Sequence, residues 1–349
     1  MRIINIFVLT IILPMLVLIG NASYSFYNIK NSALLDLKGL DQKVESLNTQ
    51  ISSVQEKTLD IGQTAAKQKE KLSQQSNALN SLTKESNKQA KLSDNAYEQK
   101  IVSRLGKPID SYQSQKVKIQ VFSLKGIGFR GYIAKVKLYD PKAFKVLLGN
   151  DKIGGSETTS SAVKRTGAIF GVNAGGFYNR TVDGKAVKWP LGNTVINGKL
   201  LGGFTPSYKD LFFAGVDSSG ELLGGIFTEE KQLMNHKPVA GVSFVPVLIK
   251  DRQALSIPKQ WANQKNPRTI IGEYGNDDLI IIVVDGRQSD WSAGVTLEYL
   301  QQKLLDFGVV EAYNLDGGGS SSFVFKGKVL NRPSDGQERT VTTNIVIMP

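Results

Sequence analysis

Between Leu37 and Gln89 the apolar residues keep one register for about fifty residues. Leu37, Leu40, Val44, Leu47, Ile51, Val54, Ile61, Ala65, Leu72, Leu79 and Leu82 all fall on it. Counted over eight heptads from Leu37, they fill 11 of the 16 a and d positions. That spacing is the seam of a coiled coil. Glycine and aromatic residues nearly vanish here, while Lys, Gln, Ser, Asn and Leu dominate. Thr58, Gln68, Gln75, Ser86 and Gln89 take the other seam positions, so the seam weakens past residue 65, and Gly62 costs helix stability. We read residues 33–105 as a coiled-coil stalk that makes a homo-oligomer. A lone amphipathic helix is the plainer alternative.

Ahead of this tract, residues 3–19 hold only Asn5 and Thr10 as polar residues and no charge. Seventeen helical residues rise about 26 Å, near the short limit for crossing a bilayer. Arg2 precedes the run, which keeps the N-terminus inside and exports the rest of the chain. Gly20-Asn21-Ala22 has the small-x-small form of a cleavage site. Residues 1–22 are therefore expected to be a transmembrane anchor or a signal peptide. The remainder is expected to lie outside the cytoplasm, membrane-anchored by a single pass or secreted.

From about residue 115 short apolar runs alternate with glycine-rich turns. Val117–Phe122 and Arg130–Tyr139 show period-two alternation. Ala168–Asn173 and Leu279–Val284 are nearly continuous apolar runs, as central strands are. Asn197-Gly198 is a hairpin turn. Leu297, Leu300, Leu304 and Leu305 share a helix face, with Thr296 as the N-cap. Strands outnumber helices, so residues 115–349 are expected to form an α+β, mixed sheet-rich domain.

Composition removes several chemistries. The chain has no cysteine and one histidine, His236. Disulfides, thiolate zinc sites and cysteine nucleophiles are excluded, and a Ser-His-Asp triad would have to use His236. No cofactor is expected; a metal, if used, would need oxygen ligands, hence calcium or magnesium. The net charge of +12 is spread along the chain without a block of five like charges. That suits an anionic surface or polymer better than nucleic acid.

Four stretches set glycines and polar residues just after apolar runs. Asn173 leads into Ala174-Gly175-Gly176, where bare backbone can form an anion-binding nest or simply a tight turn. Pro190–Lys199 contains the hairpin turn, and structural duty accounts for it. Arg268 opens one strand and Asp285 and Arg287 close the next; an arginine fork suits phosphate, and a nearby carboxylate can be a base or can orient the arginine. The most specific is Asn314-Leu-Asp316 continued by Gly317-Gly318-Gly319-Ser320-Ser321-Ser322. Three consecutive glycines cost chain entropy beyond what a turn needs, so the loop is expected to bring backbone amides to a charged ligand. Glu338 and Arg339 precede the last strand and line the same rim or form a surface pair.

Asn-Ala-Gly-Gly-Phe-Tyr at 173–178, Pro-Arg-Thr at 267–269, Val-Asp-Gly-Arg at 284–287, Asn-Leu-Asp-Gly-Gly-Gly-Ser-Ser at 314–321 and the run at 333–341 together resemble the phosphodiester glycosidase family, over roughly residues 128–349. Ser322 stands where the family pattern usually has threonine. The resemblance implies hydrolysis of a sugar-1-phosphate diester, in a cell-envelope or exopolysaccharide glycan as the expected substrate. It implies Asp316 as the leading catalytic carboxylate, then Asp285 and Glu338. It implies phosphate binding by Arg268, Arg287 and Arg339, amides from Gly175, Gly176, Gly317, Gly318 and Gly319, and orientation by Asn173, Ser320 and Ser321. Two alternatives stand beside it: a non-catalytic module that binds anionic polymer, and a scaffold in which the coiled coil is the point of the molecule.

Overall fold

The computed structural model describes residues 12–29, 37–182 and 184–349. It divides into two units, Met1–Gln89 and Ala90–Pro349. In the first unit, helix α1 spans Leu13–Ile29. Helix α2 begins at Leu37 and runs to Leu105 in the second unit. The seam residues Val44, Leu47, Ile51, Val54 and Ile61 are exposed. Among the described residues no helix is long and apolar enough to cross a membrane. Residues 3–11 of the expected anchor lie outside the described residues, and the described remainder does not support an anchor.

Among the described residues the second unit holds three sheets and a hairpin. The largest runs β1 (Asp110–Gln113), β2 (Val117–Gly126), β3 (Phe129–Leu138), β16 (Leu279–Val284), β15 (Arg268–Tyr274), β17 (Val309–Leu315), β13 (Val247–Lys250), β14 (Gln253–Ala254), antiparallel at every pairing. A second is ordered β11 (Leu222–Gly225), β10 (Phe212–Asp217), β12 (Pro238–Phe244), β8 (Thr194–Ile196), β9 (Lys199–Leu201). A third is ordered β19 (Lys328–Val329), β18 (Phe323–Phe325), β5 (Phe170–Asn173), β20 (Thr343–Ile347), β4 (Phe144–Leu148). Among the described residues β6 (Phe177–Val182) and β7 (Lys185–Pro190) pair only with each other. The helices are α3 (Thr159–Thr166), α4 (Glu230–Asn235) and α5 (Leu297–Phe307).

β16 shows why the apolar run 279–284 reads as a central strand. Leu279, Ile281 and Val283 pack into the core shared with the second and third sheets. Ile280, Ile282 and Val284 pack on the opposite face, against Leu297, Leu300 and Leu304 of α5. With both faces covered, polar alternation has no place. Thr296 caps α5 by accepting from Tyr299 N–H, and Gly308 closes it in the left-handed region. Asn197 and Gly198 both have positive φ, as the two-residue hairpin turn requires. The last turns of α2 belong to this unit: Ile101 is buried with the α5 cluster, and Tyr97, Val102 and Leu105 pack beside it. Asp94 takes a 2.5 Å bond from Lys137, Glu98 one from Lys118, and buried Lys135 pairs with buried Asp278.

Candidate active site

β15 is antiparallel to both β16 and β17, so those two strands run the same way and finish on one edge of the sheet. Val284 lies opposite Arg268, and Leu315 opposite Thr269. Asp285 and Asp316, each the next residue after its strand, therefore leave the sheet on either side of the start of β15. The third sheet is joined to this edge through Asn173. Its Oδ1 accepts from Thr269 Oγ1 (2.8 Å) and from Ser322 N–H (3.1 Å), and its Nδ2 donates to the Asp316 carbonyl (2.5 Å). Asp316 N–H donates in turn to the Ala174 carbonyl. Asn173 is thus the staple that fixes the loop on which Asp316 sits.

Each of the three glycines is needed for a different reason. A Cβ on Gly317 would stand 2.8 Å from the Pro267 carbonyl oxygen. Gly318 has φ +59 and lies against the Arg287 guanidinium. On Gly319 a Cβ would collide with Arg339 Nη2 and Asp335 Oδ2. The groups that approach the triple glycine are the chain's own, and two of them are guanidinium ions. Arg287 is itself a non-glycine residue at φ +61, with its guanidinium held by Asn266 Oδ1 at 3.0 and 3.1 Å. A left-handed backbone at such a residue is retained only where its surroundings enforce it.

Asp316 differs from the other acids of this edge. Its Oδ2 is buried and makes no hydrogen bond among the described residues. Burial pushes its carboxyl up to about 6, against the opposing pull of the Ser320 hydroxyl, Arg339, the Gly317 N–H and Lys188. The Ser320 hydroxyl is also buried and without a partner of ordinary hydrogen-bond geometry. A carboxyl shifted by burial beside cations marks a candidate reactive group.

Lys188 was not singled out in the sequence. It projects from β7 and donates to the carbonyl and hydroxyl of Thr340, at 2.6 and 3.0 Å. Burial, with Arg339 nearby, holds its ammonium below the usual lysine range, while Asp316 opposes that shift. Asp335, within the run 333–341, binds Arg339 at 2.7 Å. The period-two alternation of β7 separates Lys188 from Trp189, but the sequence does not show what either face looks onto.

The structure gathers Asp316, Gly317, Gly318, Gly319, Ser320, Arg287 and Arg339 at one place. It engages the other expected site residues inside the protein. Asp285 accepts from Asn331 Nδ2 and Arg332 N–H on one oxygen (both 3.0 Å) and from Trp291 Nε1 on the other (2.8 Å). Burial still raises its carboxyl, although those three donors oppose the shift. Glu338 accepts from Ser160 N–H and Ser322 Oγ on one oxygen and Ser160 Oγ on the other, tying the loop to the first turn of α3. Arg268 is buried, donates to the Val295 and Gln264 carbonyls, and is pushed down to about 10 by burial. Gly175 and Gly176 make room for Val242 and Phe244 of β12, which explains their missing side chains without a ligand. Ser321 Oγ takes a long contact from Thr269 Oγ1, and its carbonyl accepts from Asn331. His236 ends α4 against the edge of Phe227. Among the described residues no group of three or more His, Asp or Glu could hold a metal ion.

The sequence pattern that defines the phosphodiester glycosidase family matches residues 166–348, the stretch that carries Asp316, the glycine turn and both of its arginines. The chain belongs to the phosphodiester glycosidase family. Among curated relatives of this chain, the SPbeta prophage-derived uncharacterized protein YomE of Bacillus subtilis (strain 168) is 32% identical over 195 residues, covering 55% of this chain and 29% of that protein. The N-acetylglucosamine-1-phosphodiester alpha-N-acetylglucosaminidase of Bos taurus is 28% identical over 194 residues, covering 51% and 35%. The chain thus spans about a third of the length of these relatives. The zebrafish N-acetylglucosamine-1-phosphodiester alpha-N-acetylglucosaminidase catalytic domain, solved auto-inhibited by its pro-peptide, superposes with a TM-score of 0.55 at 23% identity, covering 70% of this chain and 87% of that one. The fold is shared with that domain.

Proposed function

We propose that residues 115–349 hydrolyse the bond between a sugar anomeric carbon and the oxygen of a phosphodiester, with Asp316 as the reacting carboxylate. The observation that carries this reading is the burial-shifted Asp316 carboxyl, one oxygen of which is buried without a partner, beside a glycine turn flanked by Arg287 and Arg339. The C–O bond to phosphate breaks and both electrons leave with the phosphate oxygen. Water supplies the hydroxyl at the anomeric carbon and a proton to the released phosphomonoester. Phosphate is already a good leaving group, so the main demand falls on the oxocarbenium-like carbon, where a carboxylate serves as base or nucleophile. Arg287, Arg339 and Lys188 hold the phosphate oxygens, a task suited to charge-assisted donors in a partly buried site. On binding, phosphate takes over the Arg339 fork that Asp335 holds.

The envelope or exopolysaccharide origin of the substrate rests on the excess positive charge of the chain and its apolar N-terminal run. Oligomerisation through α2 rests on the exposed seam. The test is incubation of the full chain with a panel of sugar-1-phosphate diesters, reading released sugar by chromatography. Turnover by the unaltered chain and none by Asp316→Asn is expected; equal turnover by both would remove Asp316 from the reaction.

A further inference from the structure

The β6–β7 hairpin has two faces, because side chains alternate along each strand. Lys188 lies on the face that looks toward Thr340, Arg339 and Asp316. Trp189 and its cross-strand partner Tyr178 lie on the other. There, with Tyr208, they line a cleft of about 450 Å³. The volume is within the range of small-ligand sites. Its lining includes no charged side chain among the described residues, in a protein whose net charge is +12. Within that lining a phosphate or carboxylate finds no cation, the Arg180 guanidinium being engaged on the Trp189 ring, whereas a neutral ligand finds hydroxyls and rings.

The polar groups present suit hydroxyls. Thr194 and Thr205 contribute to the wall, and Gly203, at φ +86 with open space where a Cβ would stand, leaves bare backbone at its edge. Arg180 covers the Trp189 ring at 4.6 Å from its centroid and so fixes its orientation. Three rings that each combine an apolar body with a polar handle match a pyranose, which has apolar C–H faces and a hydroxylated rim.

We propose that this cleft is a second carbohydrate site, which takes a neutral pyranose unit of the glycan whose phosphodiester is cut at Asp316. The charged turn and the uncharged cleft then share one hairpin and divide the substrate by chemistry. The proposal rests on the phosphodiester reading for what lies at the other end of the ligand.

The test uses the full chain carrying Asp316→Asn, titrated with neutral tetrasaccharides (chitotetraose and maltotetraose) and followed by saturation-transfer NMR and tryptophan fluorescence. Saturable binding of at least one is expected. It should weaken at least tenfold with Tyr208→Ala and stay within twofold with Tyr208→Phe. Tyr208 is 55% exposed, so its truncation leaves the core untouched; Trp189→Phe, which keeps a ring, gives a second reading with an expected smaller loss. Absence of binding by both sugars, or equal binding by the Ala and Phe variants, overturns the proposal. If the unaltered chain cuts no diester but the tetrasaccharide pattern holds, the cleft stands and the hydrolytic reading falls. If it cuts diesters while Tyr208→Ala leaves binding unchanged, the cleft proposal alone falls.

Discussion

Asp285 and Asp316 end two strands that run the same way and flank β15, yet their surroundings differ. Asp285 meets three fixed donors, from Trp291, Asn331 and Arg332, and both of its oxygens are occupied. Asp316 keeps one buried oxygen without a donor and shifts toward neutrality. A saturated carboxylate holds the structure still; an unsatisfied one keeps free energy available for a ligand. Asn331 links the two, donating to Asp285 and to the Ser321 carbonyl of the glycine loop. Through Asn331, Asp285 is thus tied to the loop that follows Asp316.

The widest separation of the pair should come from asparagine substitution. Asp316→Asn is expected to lower kcat on the order of 10³-fold while raising stability. Asp316 has its folded carboxyl at about 6 against 3.8 for the unconstrained group. Above pH 6 it is ionised in both states and the burial penalty is full; below about 4 it is protonated in both and the penalty vanishes. Asparagine should therefore add on the order of 3 kcal/mol above pH 6, and the gain should shrink as pH falls through 6 toward 4. Urea titrations across that range measure it, and a stability gain that is flat with pH would contradict the assigned shift.

Asp285→Asn should move the other way. An amide in that place turns N–H groups toward Trp291 Nε1 or Asn331 Nδ2, so the fold should lose about 1–3 kcal/mol. Activity should survive in whatever fraction stays folded. Loss of turnover at unchanged thermal midpoint would make Asp285 a reacting group and erase its contrast with Asp316.

The pH profile sharpens the same point. With Asp316 as base or nucleophile, kcat/KM should rise about tenfold per unit below pH 6 and level above it. A profile that falls through pH 6 would assign Asp316 as the acid instead. The smallest effect belongs to Lys188→Ala. KM for a diester should rise several-fold, and the acid limb should move to higher pH, because removing a nearby cation favours the neutral carboxyl. An unmoved limb would separate Lys188 from Asp316.

Much of the scaffold was legible from local pattern. The run 279–284 is the strand β16, the Thr296 cap and 297–305 spacing give α5, and Asn197-Gly198 makes its hairpin. The triple glycine has a steric reason in the fold, since three side chains are missing where a carbonyl and two guanidinium groups approach. Lys188 and Asp335 escaped because their relevance comes from neighbours far along the chain or across a loop, at 316, 339 and 340. Arg268 and Glu338 pointed to phosphate and catalysis by residue type, but their polar atoms turn to Val295, Gln264, Ser160 and Ser322.

Periodicity, turn chemistry and the glycine cluster are short-range properties, and the amino-acid order alone determined them: a long heptad helix, a sheet-rich domain after it, and a loop built for close approach. Which carboxylate would be satisfied and which left wanting was decided only by the folded chain. Hydrogen-bond saturation depends on donors that the strand order brings in from positions 291, 331 and 332, and desolvation depends on what packs above the group. Neither can be read from residues adjacent in sequence.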